Sequence, residues 1–424
     1  MIRVYLDWNV YSRIKTSTTY PYPELREILL QNRNYFFPYS TAHIIDIYES
    51  YLKVGWDNVQ GHLSTLQLAN NLYLKHPFGQ EIGFHIEDPF EALKNHILDR
   101  DSTATFDDSI KDEEDPDYID YFPEITKFLK EQDELLELQD KVISSFQGML
   151  NIFLSGNFKQ DYQKGMNISK GKLLDKRTNP IDYLDKIAVN KGYNSFKDYN
   201  EGLLSKINKN PNFMDELSAL FVGIDLSGFK EDKNSLTSTI TDSIHCAYAS
   251  TCDIFIVDDK NTIDKSIEVF KIKRIQTKTF RPAHFIEYYK QFNLQFENGK
   301  DLINFVFNYS KAYEPVGTFK TENLYYLKGF ILDFFNIITT EKDNETCIRL
   351  YKYTGNNDLT ILPCEKEDLI TKINNLFGKP ALIYDDWDEI GILNSGWIYN
   401  KLELVQLSIN KSQVILSFTK CIEF

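Results

Sequence analysis

Cysteine is scarce in this sequence, and the few copies are scattered. The 424 residues include five cysteines. No pair of them has the Cys-x-x-Cys spacing that zinc sites and redox motifs use. We therefore expect reduced thiols in a cytoplasmic protein, without a disulfide framework or a zinc site. The cysteines are Cys246, Cys252, Cys347, Cys364 and Cys421.

Long apolar runs and net positive charge are also missing. No stretch reaches the roughly 18 apolar residues that a membrane-spanning helix needs, so we expect no transmembrane segment. The first residues enter a strand pattern without an apolar leader, so we expect no signal peptide. The formal net charge is −15 at pH 7. This charge argues against tight, non-specific binding to a phosphate backbone, but it permits a local basic groove and suits divalent cations.

Apolar and aromatic residues are plentiful by contrast. Hydrophobic residues make up 42% of the chain, with 30 Phe and 26 Tyr, which is enough for a large core. The length predicts two or three domains, or one domain with a large insertion.

Residues 1–55 alternate between strand and helix patterns. Apolar residues at every second position of 2–6 predict a strand, and 34–39 predict a second short strand. Ser40 then provides a helix N-cap before apolar residues at helical spacing in 42–52. This β–α–β–α order predicts a parallel sheet covered by helices.

Residues 56–233 follow a different pattern, which predicts a mainly helical insertion. Apolar residues recur at helical spacing between Leu135 and Phe153. The acidic stretch at 107–121 predicts a solvated loop, and 170–177 is the most basic local segment.

The α/β pattern returns in residues 234–290. A helix is predicted from Ser235 onward, followed by a buried strand within 252–259. A more basic strand is predicted at 270–280, and a further helix just after Pro282.

Residues 291–424 predict a C-terminal α+β module. A helix is predicted at 320–338, and two pairs of apolar segments flank polar turns, which predicts two hairpins. The hairpins join 347–354 to 358–364 and 402–409 to 413–424.

Aspartates end two of the predicted strands. Asp7 follows the first strand, and Asp258 lies at the acidic end of the strand predicted within 252–259. Because ligands of parallel sheets bind beyond the carboxyl ends of the strands, these acids can converge on one cleft. Two helices can supply more polar groups: Asp46 from one, and Asp242 with His245 one turn later from the other.

Several carboxylates in one cleft require a cation, because like charges raise one another's pKa. Mg²⁺ or Mn²⁺ suits carboxylate oxygens best. Other interpretations stay open: Asp7 could cap the following turn, and Asp46 could face solvent. His43 and His245 could each orient a carboxylate, contact a phosphate or serve the core.

The segments around these acids resemble the PIN-domain nuclease family. "VYLDWNVYS" is similar to the family's first strand, and "PYSTAHIIDIYES" to its second strand and helix. "TDSIHCAYASTCDIFIVDDK" is the most specific match, and "QTKTFRPAHFIEYY" resembles the last strand and closing helix. The resemblance implies an α/β fold with a PIN-like parallel sheet flanked by helices, a large helical insertion and a C-terminal α+β module.

The resemblance also implies a site. The four acids that would bind metal and carry catalysis are Asp7, Asp46, Asp242 and Asp259. The residues that would support them are Asn9, Ser12, Ser40, His43, His245 and Asp258, where Asp258 could also replace Asp259 as the fourth acid. The basic residues expected to bind substrate are Lys260, Lys273 and Arg274.

The implied activity is metal-dependent hydrolysis of phosphodiester bonds by an endoribonuclease with Mg²⁺ or Mn²⁺. The family's usual substrate is RNA, often tRNA or mRNA, in bacterial defence or toxin settings, and such an enzyme would need a regulatory protein partner or similar control. Two alternatives stay open. One is a non-catalytic PIN-like scaffold that binds a protein partner. The other is a haloacid-dehalogenase-like phosphatase, whose usual second aspartate is replaced here by Asn9.

Overall fold

The computed structural model describes a mixed α/β protein. The described residues are 1–31, 35–68, 72–75, 82–97, 162–164, 166–169, 179–207, 211–230, 236–319, 321–341, 346–352, 361–386, 392–399, 403–410 and 413–420. The helix predicted between Leu135 and Phe153, the acidic stretch at 107–121 and the basic segment at 170–177 lie outside these residues. At the level of fold class the prediction is confirmed: a parallel sheet flanked by helices is accompanied by an antiparallel sheet.

The elements are as follows, in chain order. The strands are β1 (Ile2–Leu6), β2 (Tyr35–Phe36), β3 (Tyr39–Ser40), β4 (Leu72–Lys75), β5 (Gly83–Ile86), β6 (Ile254–Ile256), β7 (Lys278–Phe280), β8 (Asn293–Leu294), β9 (Gly317–Phe319), β10 (Glu322–Ile331), β11 (Phe335–Glu341), β12 (Cys347–Tyr351), β13 (Leu382–Asp386), β14 (Ile392–Tyr399), β15 (Glu403–Asn410) and β16 (Gln413–Lys420). The helices are α1 (Trp8–Thr16), α2 (Tyr22–Gln31), α3 (Thr41–Val54), α4 (Trp56–Leu68), α5 (Pro180–Asn190), α6 (Phe196–Ile207), α7 (Phe213–Leu226), α8 (Leu236–Ala249), α9 (Lys260–Lys273), α10 (Pro282–Gln291), α11 (Gly299–Ala312) and α12 (Pro363–Phe377).

The parallel sheet has the strand order β2-β1-β6-β7. Its register places Leu6 opposite Ile256, and Ile256 opposite Phe280, so the three strands end at the same level. All five residues of β1 are buried, including Arg3 and Tyr5. A parallel strand covered by helices on both faces is buried on both, so the polar side chains of β1 need partners inside the protein.

The antiparallel sheet has the order β13-β14-β15-β16-β12-β11-β10-β8, with β9 paired to β10. The predicted hairpin between 402–409 and 413–424 is confirmed as β15 and β16. The core beneath this sheet includes the fully buried Trp397, whose indole Nε1 donates to the carbonyl of Gly378 at 3.0 Å.

The prediction of a helix at 320–338 is wrong. β10 and β11 occupy these residues as an antiparallel hairpin. The turn between them has Leu332 and Asp333 at φ values of 55° and 52°, the left-handed conformation that tight hairpin turns use. Aromatic and β-branched residues, which favour strands, dominate this segment, although some of its apolar residues also recur at helical spacing.

Two further local predictions are wrong. In the described part of the hairpin predicted between 347–354 and 358–364, β12 pairs with β11 and β16 instead, and α12 begins at Pro363. The strand predicted at 270–280 is shorter, because α9 extends to Lys273 and only β7 is extended.

The chain divides into two compact units. One contains residues 1–41, 64–86 and 245–424, and the other contains 42–63 and 87–244. The predicted domain boundaries after residues 55, 233 and 290 stay a prediction. The segment predicted to be mainly helical also contains β4 and β5, which join β3 in a three-stranded sheet of the first unit. Among the described residues, no helix has the length and apolarity to cross a membrane.

The second unit is built around close helix contacts. α6 packs against both α5 and α7. A Cβ at Gly223 would meet Asn200 Oδ1 at 2.1 Å, so the glycine is needed for the close approach of α6 and α7. Asn200, which is buried, donates to the carbonyl of Phe196 at 2.7 Å.

A buried ionic cluster connects β1 with the antiparallel sheet and α12, within the first unit. The Arg3 guanidinium donates to both carboxylate oxygens of Glu365, at 3.0 and 2.5 Å. The backbone N–H of Arg3 donates to Asp253 at 2.8 Å, and the Lys352 ammonium lies 2.9 Å from the same carboxylate. The two cations and two anions are buried together, which satisfies charges that would otherwise be costly inside a protein.

Candidate active site

Asp7 lies at the carboxyl edge of the parallel sheet. It directly follows β1, and its N–H donates to the carbonyl of Ile256 at 2.9 Å, so it extends the pairing with β6 by one residue. Asp7 occupies the N-cap position of α1, as the capping interpretation expects, but its side chain makes no capping hydrogen bond. The residue is only 3% exposed. A buried carboxylate thus lies at the edge where parallel sheets bind ligands.

A chain of hydrogen-bonded side chains lies beside Asp7. The Tyr5 hydroxyl is 2.6 Å from Ser40 Oγ and 2.8 Å from His245 Nδ1. The other ring nitrogen of His245, Nε2, lies 4.0 Å from Asp7 Oδ1. Tyr5, Ser40 and His245 are all buried. The structure therefore brings together Asp7 and two of the predicted supporting residues, Ser40 and His245.

The protonation of this chain follows from its burial. Burial raises the pKa of Tyr5 well above its usual value, although the hydrogen bond with Ser40 lowers it in part. The hydroxyl therefore keeps its proton, so that it donates to one neighbour and accepts from the other. When Tyr5 donates to Nδ1, a neutral His245 carries its proton on Nε2 and directs it toward Asp7. This tautomer gives the carboxylate a favourable electrostatic neighbour.

Asp258 has a set of basic and hydroxyl partners. Its carboxylate forms an ion pair with Arg13 of α1 and accepts a hydrogen bond from the Tyr22 hydroxyl at 2.6 Å. The guanidinium of Arg281, which directly follows β7, donates to the carbonyl oxygen of Asp258 at 3.2 Å. The side chain of Asp258 is 19% exposed and that of Arg13 is 54% exposed.

Asp259 is the N-cap of α9. Its Oδ1 accepts a hydrogen bond from the backbone N–H of Thr262 at 2.7 Å. The residue is exposed. The two adjacent acids therefore differ: Asp258 is engaged by an arginine, and Asp259 by a helix terminus.

The remaining predicted acids belong to the second unit. Asp46 lies in α3 and Asp242 in α8, and both are partly buried. Asp242 precedes His245 by three residues in the same helix. His43 is fully buried in α3.

The predicted polar neighbours of Asp7 lie on α1. Asn9 is exposed, and the hydroxyl of Ser12 donates to the carbonyl of Asn9 at 3.1 Å. The hydroxyl of Ser12 therefore contributes to the hydrogen bonding of the first helical turn.

The predicted substrate-binding residues lie at opposite ends of α9. Lys260 begins the helix and is exposed, whereas Lys273 ends it and Arg274 follows. At a rise of 1.5 Å per residue, a 14-residue helix separates its ends by about 20 Å. Lys260 therefore lies near the carboxyl edge of the sheet, and Lys273 and Arg274 do not.

Sequence reasoning missed four residues around the strand ends. Tyr5 was assigned only to the strand pattern, and Arg13, Tyr22 and Arg281 were not singled out. Arg281 could have been found, because it follows β7 as directly as Asp7 follows β1. Arg13 and Tyr22 had no comparable signal, since their contact with Asp258 spans more than 230 residues of sequence.

The described residues contain no group of three or more His, Cys, Asp or Glu side chains arranged to hold a metal ion. In comparisons with known proteins, no family model matches the chain, and neither a curated protein nor a solved structure matches it significantly. The candidate site is therefore defined by the residues of this chain alone.

Proposed function

We propose that the protein is a metal-dependent endoribonuclease whose reaction takes place around Asp7. The observation that supports this most is the position of that carboxylate: buried, directly after β1, at the carboxyl edge of a parallel sheet. Its side chain does not cap the helix that follows, so helix formation does not account for it. The imidazole of His245 faces it at 4.0 Å.

The donor types suit the proposed cation. Carboxylate oxygens are hard ligands that Mg²⁺ and Mn²⁺ prefer, and Asp7 supplies them from a fixed backbone position. The resemblance adds Asp46, Asp242 and Asp259 as further ligands, which stay predictions. Asp259 suits this role better than Asp258, because the ion pair with Arg13 competes with a cation for the Asp258 carboxylate.

Within this proposal, the bound metal would lower the pKa of a water molecule and stabilise charge on the scissile phosphate. The chain itself would do the positioning. Tyr5, which also contacts Ser40, would hold the His245 ring so that its Nε2 faces the Asp7 carboxylate. The reaction needs no covalent nucleophile, since water attacks the phosphate directly.

The test compares the wild type with Asp7→Asn, using labelled total RNA and labelled single-stranded DNA in Mn²⁺, Mg²⁺ or EDTA. We expect the wild type to cut RNA only with metal, and Asp7→Asn to lose at least about 100-fold of that rate, the usual scale for removing an electrostatic group from an active site. Asp301→Asn is a matched control, because Asp301 is an exposed aspartate in the first turn of α11. This control should cut RNA like the wild type.

Calorimetric titration of Mn²⁺ into the same three proteins gives a second readout. Binding that is lost in Asp7→Asn alone supports Asp7 as a ligand. A wild type that neither binds Mn²⁺ nor cuts either polymer contradicts the proposal and favours the non-catalytic scaffold.

A further inference from the structure

Two arginines converge on Asp258 at the carboxyl edge of the parallel sheet. Arg13 reaches the carboxylate from α1, and Arg281 reaches the backbone carbonyl from the end of β7. Two guanidinium groups thus meet at one residue in a protein whose net charge is −15. Paired guanidinium groups on an acidic protein point to an anionic ligand.

The contact between Arg13 and Asp258 can be exchanged. Arg13 is 54% exposed, so solvent reaches its guanidinium and screens the attraction to the less exposed Asp258 carboxylate. If Arg13 moves away, Asp258 keeps the hydrogen bond from Tyr22, whose hydroxyl lies 2.6 Å from Oδ2. The movement of Arg13 therefore does not leave the Asp258 carboxylate without a hydrogen-bond partner.

A phosphodiester is a suitable replacement partner. The planar guanidinium matches the oxygens of a phosphate with two parallel hydrogen bonds. Arg281 is exposed and uses Nη2 for the Asp258 carbonyl, and it stands at the N-cap of α10, where the helix dipole also favours an anion.

We propose that Arg13 and Arg281 form a clamp for an RNA backbone phosphate, and that Asp258 occupies Arg13 until the phosphate displaces it. The choice of RNA as the ligand rests on the proposed function. The clamp differs from the sequence-based prediction, which placed substrate binding on Lys260, Lys273 and Arg274.

The experiment measures binding of a labelled single-stranded RNA of about 12 nucleotides by fluorescence anisotropy, in EDTA so that no metal-dependent cutting occurs. Arg13→Gln and Arg281→Gln should each weaken binding about tenfold. Each should also reduce the slope of log K against log salt by about 0.7, the value for one lost phosphate contact on a single strand. Lys311→Gln is the charge-matched control, because Lys311 is an exposed cation in the last turn of α11 with no proposed role in RNA binding, and it should bind like the wild type.

If a phosphate displaces Asp258 from Arg13, removing the Asp258 charge should strengthen RNA binding rather than weaken it. Asp258→Asn should tighten binding several-fold, because Arg13 no longer has to leave a carboxylate. Asp259→Asn removes the adjacent charge without touching an arginine, and it should tighten binding less. In a protein that already carries Arg13→Gln, Asp258→Asn should tighten RNA binding no more than Asp259→Asn does.

Two outcomes would overturn the clamp: equal losses in Arg13→Gln and Lys311→Gln, or weaker binding by Asp258→Asn. Failure of the clamp and failure of the nuclease are distinguishable. If Arg13→Gln does not change RNA cutting, the clamp proposal is wrong and the nuclease proposal stands. If RNA binding depends on Arg13 but the protein cuts no RNA, the clamp proposal stands and the nuclease proposal is wrong.

Discussion

The two ends of β1 carry two different buried polar networks. At the amino end, Arg3 joins Asp253, Lys352 and Glu365 in an ionic cluster. At the carboxyl end, Tyr5 joins Ser40 and His245 in a chain of hydrogen bonds that leads to Asp7. Arg3 and Tyr5 are alternate residues of β1, so both networks begin on the same face of that strand.

The networks differ in how charge is compensated. In the ionic cluster, guanidinium and ammonium groups lie within 2.9 Å of carboxylate oxygens, so each charge is held by an opposite one. In the chain at the carboxyl end, the carboxylate faces an imidazole at 4.0 Å, beyond hydrogen-bond distance. The first arrangement holds charges of opposite sign in direct contact, and the second links hydroxyl and imidazole groups beside a carboxylate. Removing single groups from each network tests this difference.

The largest effect is expected from Glu365→Gln. The substitution keeps the shape of the side chain but leaves Arg3 and Lys352 with one buried carboxylate between them. Breaking a buried pair in this way costs about 3–5 kcal/mol, and we expect a corresponding loss in the free energy of unfolding from urea denaturation. Glu49→Gln is the control: Glu49 pairs with Lys53 at 3.9 Å on the surface, and its loss should cost under about 1 kcal/mol. Equal effects of the two substitutions would contradict a structural role for the cluster.

The pH dependence sharpens this prediction. Burial alone would raise the pKa of Glu365, but the charges of Arg3 and Lys352 outweigh it and lower the pKa from 4.5 to about 2. Because the pKa is lower in the folded state, the stabilisation is complete above pH 4.5 and is lost as the pH falls toward 2. The difference in stability between the wild type and Glu365→Gln should therefore shrink between pH 5 and pH 2.5, on the order of 1.4 kcal/mol per pKa unit.

The two networks were not equally visible in the sequence. Asp7 could be found because it interrupts an alternating strand, and His245 because it follows Asp242 by one helical turn. The cluster at the amino end could not be found, because Arg3 and Glu365 are 362 residues apart and no local pattern links them. Burial of Arg3 and Tyr5 was not predicted for a related reason: alternation in 2–6 indicates a strand but does not show what covers each of its faces.

The same contrast applies to the secondary structure. The hairpin of β15 and β16 has two apolar segments flanking a short polar turn, which is a local signal. The pairing of β12 with β11 and β16 is set by the whole sheet, and a local reading joined it to the wrong segment. α9 was missed because the acids before it were interpreted only as ligands, although Asp259 is also a helix N-cap.

A smaller loss is expected from Tyr5→Phe, at the carboxyl end. The substitution removes the hydroxyl that links Ser40 to His245 and leaves both buried groups without that partner. We expect a loss of about 1–3 kcal/mol in urea denaturation. Nitrogen-15 NMR of the His245 ring should also show loss of the single tautomer that the hydrogen bond with Tyr5 selects. Tyr11→Phe is the control, because its hydroxyl makes a longer hydrogen bond of 3.3 Å to the carbonyl of Phe37, and it should leave the His245 signals unchanged.

An unchanged His245 spectrum in Tyr5→Phe would mean that another group sets the tautomer, and the positioning role of Tyr5 would be wrong. A loss as large as that of Glu365→Gln would erase the distinction between the two networks, because the hydroxyl chain would then contribute as much to stability as the ionic cluster.

The smallest effect is expected at Asp259, where capping and metal binding can be separated. Asp259→Ala removes the acceptor for the Thr262 N–H and should cost about 1 kcal/mol of stability. Asp259→Asn keeps a good N-cap oxygen while removing the negative charge, so its stability should match that of the wild type. If Asp259 is a metal ligand, Asp259→Asn should still lose Mn²⁺ affinity and RNA cutting. If Asp259→Asn keeps both Mn²⁺ affinity and RNA cutting, Asp259 is a helix cap alone. Metal binding at the carboxyl edge of the sheet would then involve Asp7 but not Asp259.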